Sequence, residues 1–351
     1  MTPLLLQGQG YAIRAPATTA APAPAGHDPA DDGDGEPRPC VLVLARSTDV
    51  EMTELSAALA VRGVRVARID ADRCLDLSLT VYPDAPLVEL DNAMLRPVLV
   101  WRRHFEPAAL PVDPGTLYGA YVVDQWRSVA DWITARTDWS CVNAGRPVDR
   151  LTQLAAAARF GLAVPRTVVT TQPARHRPGG GTCVVKTTGQ DVVEPLSGHR
   201  HGLGPRPVDP RLGGGRPEPA PVIVQQYLPS DHELRVFVVG ERVIGYRVDR
   251  GDPGALWLDP AAARVRPVPV EPALGGTLRA LARHWRLDIA AFDLLVRDGT
   301  PAFLAAGAHC DWRWCEHLSG EPAVSAAVAN WVTARFEELH GAATRTGAAR
   351  G

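Results

Sequence analysis

The apolar residues of this chain change period several times, and each change marks an element. Val41-Leu42-Val43-Leu44-Ala45 is a continuous apolar run of strand length, as expected for a strand covered on both faces. Residues 50–62 carry helical spacing that Gly63 ends, and 64–69 reads as a second strand. Strand, helix, strand at this distance is a βαβ unit and implies a parallel sheet. Further strands are expected near 86–90 and 97–101. A helix near 119–136 places Val122, Trp126, Val129 and Ile133 on one face.

From residue 143 the pattern starts again. Asp149 is placed to cap a helix that runs through Phe160, with Gly161 just past its end. An extended run at 164–170 follows, then Thr182-Cys183-Val184-Val185-Lys186. Gly and Pro fill half of residues 198–221, which reads as a flexible loop or linker. Beyond it the signals are antiparallel. Strands at 222–227, 234–239 and 242–248 are expected, the last two joined by Gly240-Glu241. A helix at 271–286 would bury Leu274, Leu278, Leu281 and Trp285. Strands at 289–296 and 302–306 meet at Arg297-Asp298-Gly299-Thr300. A last helix at 322–339 aligns Val324, Val328, Trp331 and Arg335, and the final dozen residues read as frayed. No internal repeat is visible.

Composition narrows the class. The chain has 351 residues, 46% hydrophobic and 22% charged, which is globular and long enough for more than one domain. A formal charge of −2 supplies no global field for nucleic acid or an anionic membrane. No apolar run reaches the length of a membrane span, and the N-terminus carries no secretion-signal pattern. The six cysteines are scattered without a C-x-x-C pair. That suggests neither a zinc site nor a disulfide scaffold, and fits a reducing cytoplasm. His309-Cys310 and Cys315-x-His317 lie near one another, without a second pair to complete a metal site. No G-x-G-x-x-G follows the first strand, and no G-x-x-x-x-G-K-[ST] occurs. Of the 37 basic residues only Lys186 is a lysine. In so Arg-rich a chain it marks a place where a compact ammonium is required and a planar fork does not serve, unless it is a chance survivor.

Taken in order, these pieces resemble an ATP-grasp protein, most closely the graspetide (microviridin-type) peptide macrocyclases, over roughly residues 40–340. Val98-Leu99-Val100-Trp101-Arg102-Arg103 looks like the end of their N-terminal domain's apolar strand. Arg150-Leu151-Thr152-Gln153-Leu154 and Gly161-Leu162-Ala163-Val164-Pro165-Arg166-Thr167 are similar to the start of their nucleotide-binding half. Val184-Val185-Lys186, Gln225-Gln226-Tyr227-Leu228, Glu233-Leu234-Arg235-Val236 and Ala291-Phe292-Asp293-Leu294-Leu295 match later pieces, as does Phe303-Leu304 through Asp311-Trp312-Arg313-Trp314.

The resemblance implies an α/β chain: a βαβ pre-ATP-grasp domain followed by the two α+β lobes of the ATP-grasp fold. The expected divisions are a disordered tail at 1–38, the pre-ATP-grasp domain at 39–142, one lobe at 143–221 with the Gly/Pro loop at 198–221, the second lobe at 222–340, and a tail at 341–351. It also implies ATP as cofactor, with the backbone of Gln226, Tyr227 and Leu228 meeting adenine, Glu233 the ribose hydroxyls, and Lys186 and Arg150 the phosphates. Arg150 stands where the family has a lysine. Arg235 and Arg247 would face the reacting carboxylate as catalytic cations. Glu233 and Arg235 also admit a plainer reading, a pair that alternates along one strand and meets across its solvated face.

The family's magnesium is held by an aspartate, then a glutamate and an asparagine. Asp293 fills the first place, but Ala305 and Gly307 fill the others, and neither side chain has the oxygen a hard cation requires. Two functions follow. One is an ATP-dependent ligase that phosphorylates a side-chain carboxylate of a precursor peptide and closes an ester or amide. The other is a degenerate relative that binds a peptide or a partner without turnover. Ligation of free amino acids stays open. A second copy of the chain or a partner ligase is a further expected partner; nucleic acid and membrane are not.

Overall fold

The computed structural model of the chain describes residues 37–144, 149–189, 192–193, 201–208, 217–251 and 262–348. They fall into two compact units. The first holds the described residues up to 144 and those from 325 onward. The second holds those from 149 to 193 and from 201 to 324.

In the first unit a helix lies between two strands, as the sequence pattern predicts, and Asp49 caps it. The unit runs β1 (Arg38–Ala45), α1 (Val50–Ala60), β2 (Val66–Asp70), β3 (Leu79–Val81), β4 (Val88–Leu90), β5 (Ala93–Arg102), α2 (Leu117–Ala135) and β6 (Ser140–Cys141). The sheet order is β2-β1-β5-β4-β3, with β6 added to β5. β1 is parallel to β2 and β5, and β6 is parallel to β5, while β3 and β4 return antiparallel. β1 is buried from Cys40 onward, which is why it reads as an unbroken apolar run. Asp49 accepts the Met52 N–H at the start of α1, and Thr116 accepts the Gly119 N–H at the start of α2. At Gly119 a Cβ would stand 1.9 Å from the Asp113 carbonyl oxygen, so only glycine fits that turn. Val122 and Ile133 of α2 are buried as their spacing predicts.

The second unit contains α3 (Arg150–Arg159), β7 (Thr167–Thr170), β8 (Cys183–Lys186), β9 (Val192–Val193), β10 (His201–Gly202), β11 (Arg206–Pro207), β12 (Val222–Gln226), β13 (His232–Val239), β14 (Arg242–Asp249), β15 (Arg264–Val268), α4 (Pro272–His284), β16 (Ile289–Arg297), β17 (Thr300–Gly307) and α5 (Arg313–Ser319). α6 (Ala323–Ala348) begins in this unit and continues into the first. One sheet has the order β11-β8-β12-β7, and the other β15-β14-β13-β16-β17. The hairpins turn where the sequence places them: Gly240 has φ +55°, and Asp298 and Gly299 have φ +49° and +73°. Alternation decides the faces. Leu234, Val236, Val238, Phe292 and Leu294 pack with Leu154 of α3 and Leu278 and Leu281 of α4. Trp285, Phe292 and Phe303 close that core with ring centroids 6.2 to 6.5 Å apart. Burying such side chains stabilises the fold by about 1.5–3 kcal/mol each.

Three expectations change. Strand β1 starts at Arg38, inside the expected tail; positions 1–36 lie outside the described residues. The Gly/Pro stretch is not wholly a loop. Of residues 198–221, positions 198–200 and 209–216 lie outside the described residues, but β11 pairs with β8 and β10 with β9. Pro207 is tolerated because β11 is an edge strand. At the other end α6 is helical through Ala348, past the expected fraying at 340. No proline interrupts it, and alanines favour the helix.

Candidate functional site

β8 and β12 each present one apolar edge to a small core and one mixed edge to an opening. Cys183, Val185, Val222 and Val224 form the core. Val184, Lys186, Ile223 and Gln225, one residue out of step, line a cavity of about 320 Å³. That is within the size of small-molecule sites, about 300–1,000 Å³. The same alternation on the second sheet brings Glu233 and Arg235 of β13 and Asp293 and Leu295 of β16 to this cavity.

Lys186 Nζ donates to Gln225 Oε1 at 2.8 Å, and Gln225 Nε2 donates to Thr167 Oγ1 at 3.0 Å. The buried Gln225 amide therefore fixes the ammonium through a chain of neutral groups. Arg150, the first residue of α3, and Gln226, Tyr227 and Leu228 also line the cavity. Asp149 caps α3, accepting the N–H groups of Leu151 and Thr152 at 3.0 and 2.9 Å. In the hinge, Gln226 N–H donates to the Arg166 carbonyl and Tyr227 N–H to the Thr182 carbonyl, at 2.8 and 2.9 Å. Two of the three hinge donors are thus used by the fold. Leu228 is the next residue along.

Arg235 Nη1 donates to Asp293 Oδ1 at 2.5 Å, and its Cζ lies 5.4 Å from the Phe237 ring centroid. Its Nε is buried without a hydrogen-bond partner among the described residues. Burial alone would favour discharging this guanidinium, but the charge and hydrogen bond of Asp293 more than offset it and hold the pKa above its ordinary value. Glu233 forms an ion pair with Arg250. Burial pushes the Glu233 carboxyl above its ordinary pKa, and Arg250 opposes that rise. Behind Arg235 and Asp293, burial pushes the Cys315 thiol up to about 12, which leaves it unreactive.

Of the nine residues singled out from the sequence, eight line this cavity; Arg247 does not. It occupies the other face of β14, where it pairs with Asp249 at 2.7 Å, and the correction follows from strand period. Glu233 lies opposite Val248 and Arg235 opposite Tyr246, so the cavity face of β14 is Tyr246, Val248 and then Arg250. Arg250 is the residue the sequence reading missed. Continuing the two-residue period past 248 would have found it. Trp312 is buried and Trp314 lines the cavity, so these neighbours have different surroundings.

Asp293 pairs directly with Ala305 across β16 and β17, and Ala291 with Gly307, so all three metal places share one face. The register shifts between Asp293 and Leu294, and the extra residue is Leu304, which lines the cavity beside Ala305. Gln153 of α3 holds this strand. Its amide donates to the Ala306 carbonyl and accepts the Ala306 N–H, both at 2.9 Å. These residues do not fit a magnesium ion. Asp293 is already held by Arg235, and Ala305 and Gly307 bring no oxygen from their side chains. Among the described residues, no group of three or more His, Cys, Asp or Glu is placed to hold a metal. Nor, among them, is any helix long and apolar enough to cross a membrane.

No protein-family model matches the chain, and no curated protein does. Solved structures do. A RiPP-associated ATP-grasp ligase of Chryseobacterium gregarium, in complex with ADP and a leader and core peptide, superposes with a TM-score of 0.68 at 18% identity, covering 84% of this chain and 96% of that one. The macrocyclase MdnC of Microcystis aeruginosa MRC, bound with precursor peptide MdnA, gives 0.66 at 18% identity, covering 83% and 98%. The ATP-grasp ligase PsnB, complexed with minimal precursor, Mg and ADP, gives 0.66 at 18%, covering 84% and 97%. The fold is that of the ATP-grasp ligases, with the mixed α/β architecture expected from the sequence.

Proposed function

We infer that the cavity of the second unit is a nucleotide site, and that the chain is an ATP-grasp ligase-like protein of ribosomal peptide maturation. The observation that carries this reading is the convergence of Lys186, the hinge 226–228 and Glu233 on one cavity of suitable size. The Leu228 N–H and the hinge carbonyls would meet the adenine edge, and Glu233 the ribose. Lys186 and Arg150 would hold phosphate oxygens, Lys186 as a point charge steadied by Gln225. Arg235 would face the developing charge when a peptide carboxylate is activated as an acyl phosphate. A hydroxyl or amine of the peptide then attacks, closing an ester or amide and releasing phosphate. The solved likenesses that hold ADP and precursor peptides support the substrate class.

A second reading, a peptide- or partner-binding protein without turnover, is favoured by one observation. Asp293 is tied to Arg235 with Ala305 opposite. One assay separates the two: ATP-dependent phosphate release with an acidic precursor-type peptide, compared with Lys186→Ala. The ligase reading expects peptide-stimulated release that the variant abolishes. Peptide binding with no release, in both proteins, overturns it in favour of the second.

A further inference from the structure

Among the described residues, the charged side chains that line the cavity are unequal in sign. Arg150, Lys186, Arg235 and Arg250 face it with Glu233 and Asp293, four cations against two carboxylates. Each carboxylate is already matched within the cavity, Glu233 by Arg250 and Asp293 by Arg235. A divalent cation brought to Asp293 would therefore meet a guanidinium on the same carboxylate and an alanine methyl directly across the strand pair. Repulsion between the two cations and the shortage of oxygens both act against it. Arg235 meanwhile has a buried Nε–H with no acceptor among the described residues. Such a group costs free energy until an acceptor arrives, and an anion in the cavity supplies acceptors.

We propose that this cavity binds its nucleoside polyphosphate without a divalent cation: Arg235, held by Asp293 as its counter-ion, stands in for the ion, and Lys186 and Arg150 complete the neutralisation. This rests on the nucleotide reading above and is common to its ligase and binding forms. It makes a specific claim about Ala305 and Gly307. They are the residues a cation-free site requires, because an acidic side chain there would place a third carboxylate against the phosphates. The face is not sterically closed to larger residues: a Cβ on Gly307 would meet nothing within 4 Å.

The test is calorimetric titration of the full chain with ATP, once with Mg²⁺ and once in EDTA. The expected result is an affinity in EDTA equal to or tighter than that in Mg²⁺, within about threefold, where a tenfold loss would correspond to about 1.4 kcal/mol. A loss of tenfold or more in EDTA overturns the proposal and leaves the nucleotide reading intact. Absence of heat and of competition in both buffers overturns the nucleotide reading and this proposal with it. A second variant probes the place itself. Ala305→Glu with Gly307→Asn adds the missing oxygens, and circular dichroism verifies its fold. It is expected to lose about tenfold in EDTA and to recover in Mg²⁺. A folded double variant whose ATP affinity ignores Mg²⁺ overturns the assignment of this face.

Discussion

Two guanidinium–carboxylate pairs in this chain differ in one respect, access to water. In the first unit Arg103 pairs with Asp49 and reaches Glu51 at 3.6 Å; Arg103 and Asp49 are 0% and 2% exposed. In the second unit Arg235 pairs with Asp293, at 17% and 37%, on the wall of a cavity. The sealed pair also caps the start of a helix, because Asp49 accepts the Met52 N–H. Its charges satisfy each other, and both side chains are closed off from water. The open pair leaves a donor over at Arg235 Nε. On the nucleotide reading proposed above, the same chemistry serves architecture where it is closed and would serve recognition where a cavity adjoins it.

The largest effect should come from breaking the closed pair. Arg103→Leu strands Asp49 and Glu51 without their cation in a buried setting, and such a loss costs about 3–5 kcal/mol. Urea unfolding followed by tryptophan fluorescence should show it as a lowered midpoint. A cost below about 1 kcal/mol would mean that water reaches these carboxylates and that the contrast drawn above is wrong.

Arg235→Met should reverse the balance. Water can reach Asp293 from the cavity, so the stability cost should be about 1–2 kcal/mol. ATP affinity should fall about ten- to a hundredfold, the value of one charge-assisted contact. Titration of the folded variant measures the second quantity and unfolding the first. Equal losses of stability at positions 103 and 235, with binding untouched, would make both pairs architectural.

The first pair was only half visible in the sequence. Trp101-Arg102-Arg103 marks the end of β5, but nothing in its spacing says that Asp49, on the loop after β1, lies beside it. That closeness comes from parallel pairing of β1 with β5, a long-range register that local pattern does not encode. Within the second unit the period-two runs are long and bounded by Gly240-Glu241 and Asp298-Gly299, so strands and hairpins were legible. Lys186 stood out as the sole lysine, whereas Glu233, Arg235 and Asp293 came from the resemblance to ATP-grasp proteins. Arg247 failed for an arithmetic reason, since it is one residue out of step with the cavity face, whereas Arg250 is in step. The pairing of β11 with β8 was hidden by glycine and proline, which mark turns but also populate edge strands.

Arg250 gives a comparison that pH can resolve. Its partner Glu233 has a folded pKa above the unfolded value of 4.5, chiefly through burial, and Arg250 holds that rise down. A raised carboxyl pKa favours the protonated form in the folded state. Its contribution is therefore fully present below the unfolded pKa and is lost as pH rises through the folded one. Arg250→Met removes the opposing cation and lifts the folded value further. Its destabilisation should be about 1–3 kcal/mol at pH 8 and should shrink as pH approaches 4.5 and Glu233 takes up its proton. Unfolding midpoints of both proteins at pH 8, 6 and 5 test this. A pH-independent difference would show that Arg250 acts through packing alone.

The smallest effect closes the series on the solvent side. Arg283 of α4 reaches Glu241, in the turn between β13 and β14, with both oxygens within 2.6 Å; the two side chains are 64% and 73% exposed. The hydrogen bond to Arg283 draws the Glu241 pKa below its ordinary value, so the contact is electrically real. Water solvates both groups equally well when they separate, and holding two long side chains together costs rotamer entropy. Arg283→Ala should therefore leave the unfolding midpoint unchanged within error at 0.15 M salt. Raising salt should not separate the variant from the parent, since the attraction is already screened at that ionic strength. If the variant unfolds at clearly lower urea, short distance rather than exclusion of water sets the strength of these pairs, and the ordering from Arg103 through Arg235 to Arg283 loses its physical basis.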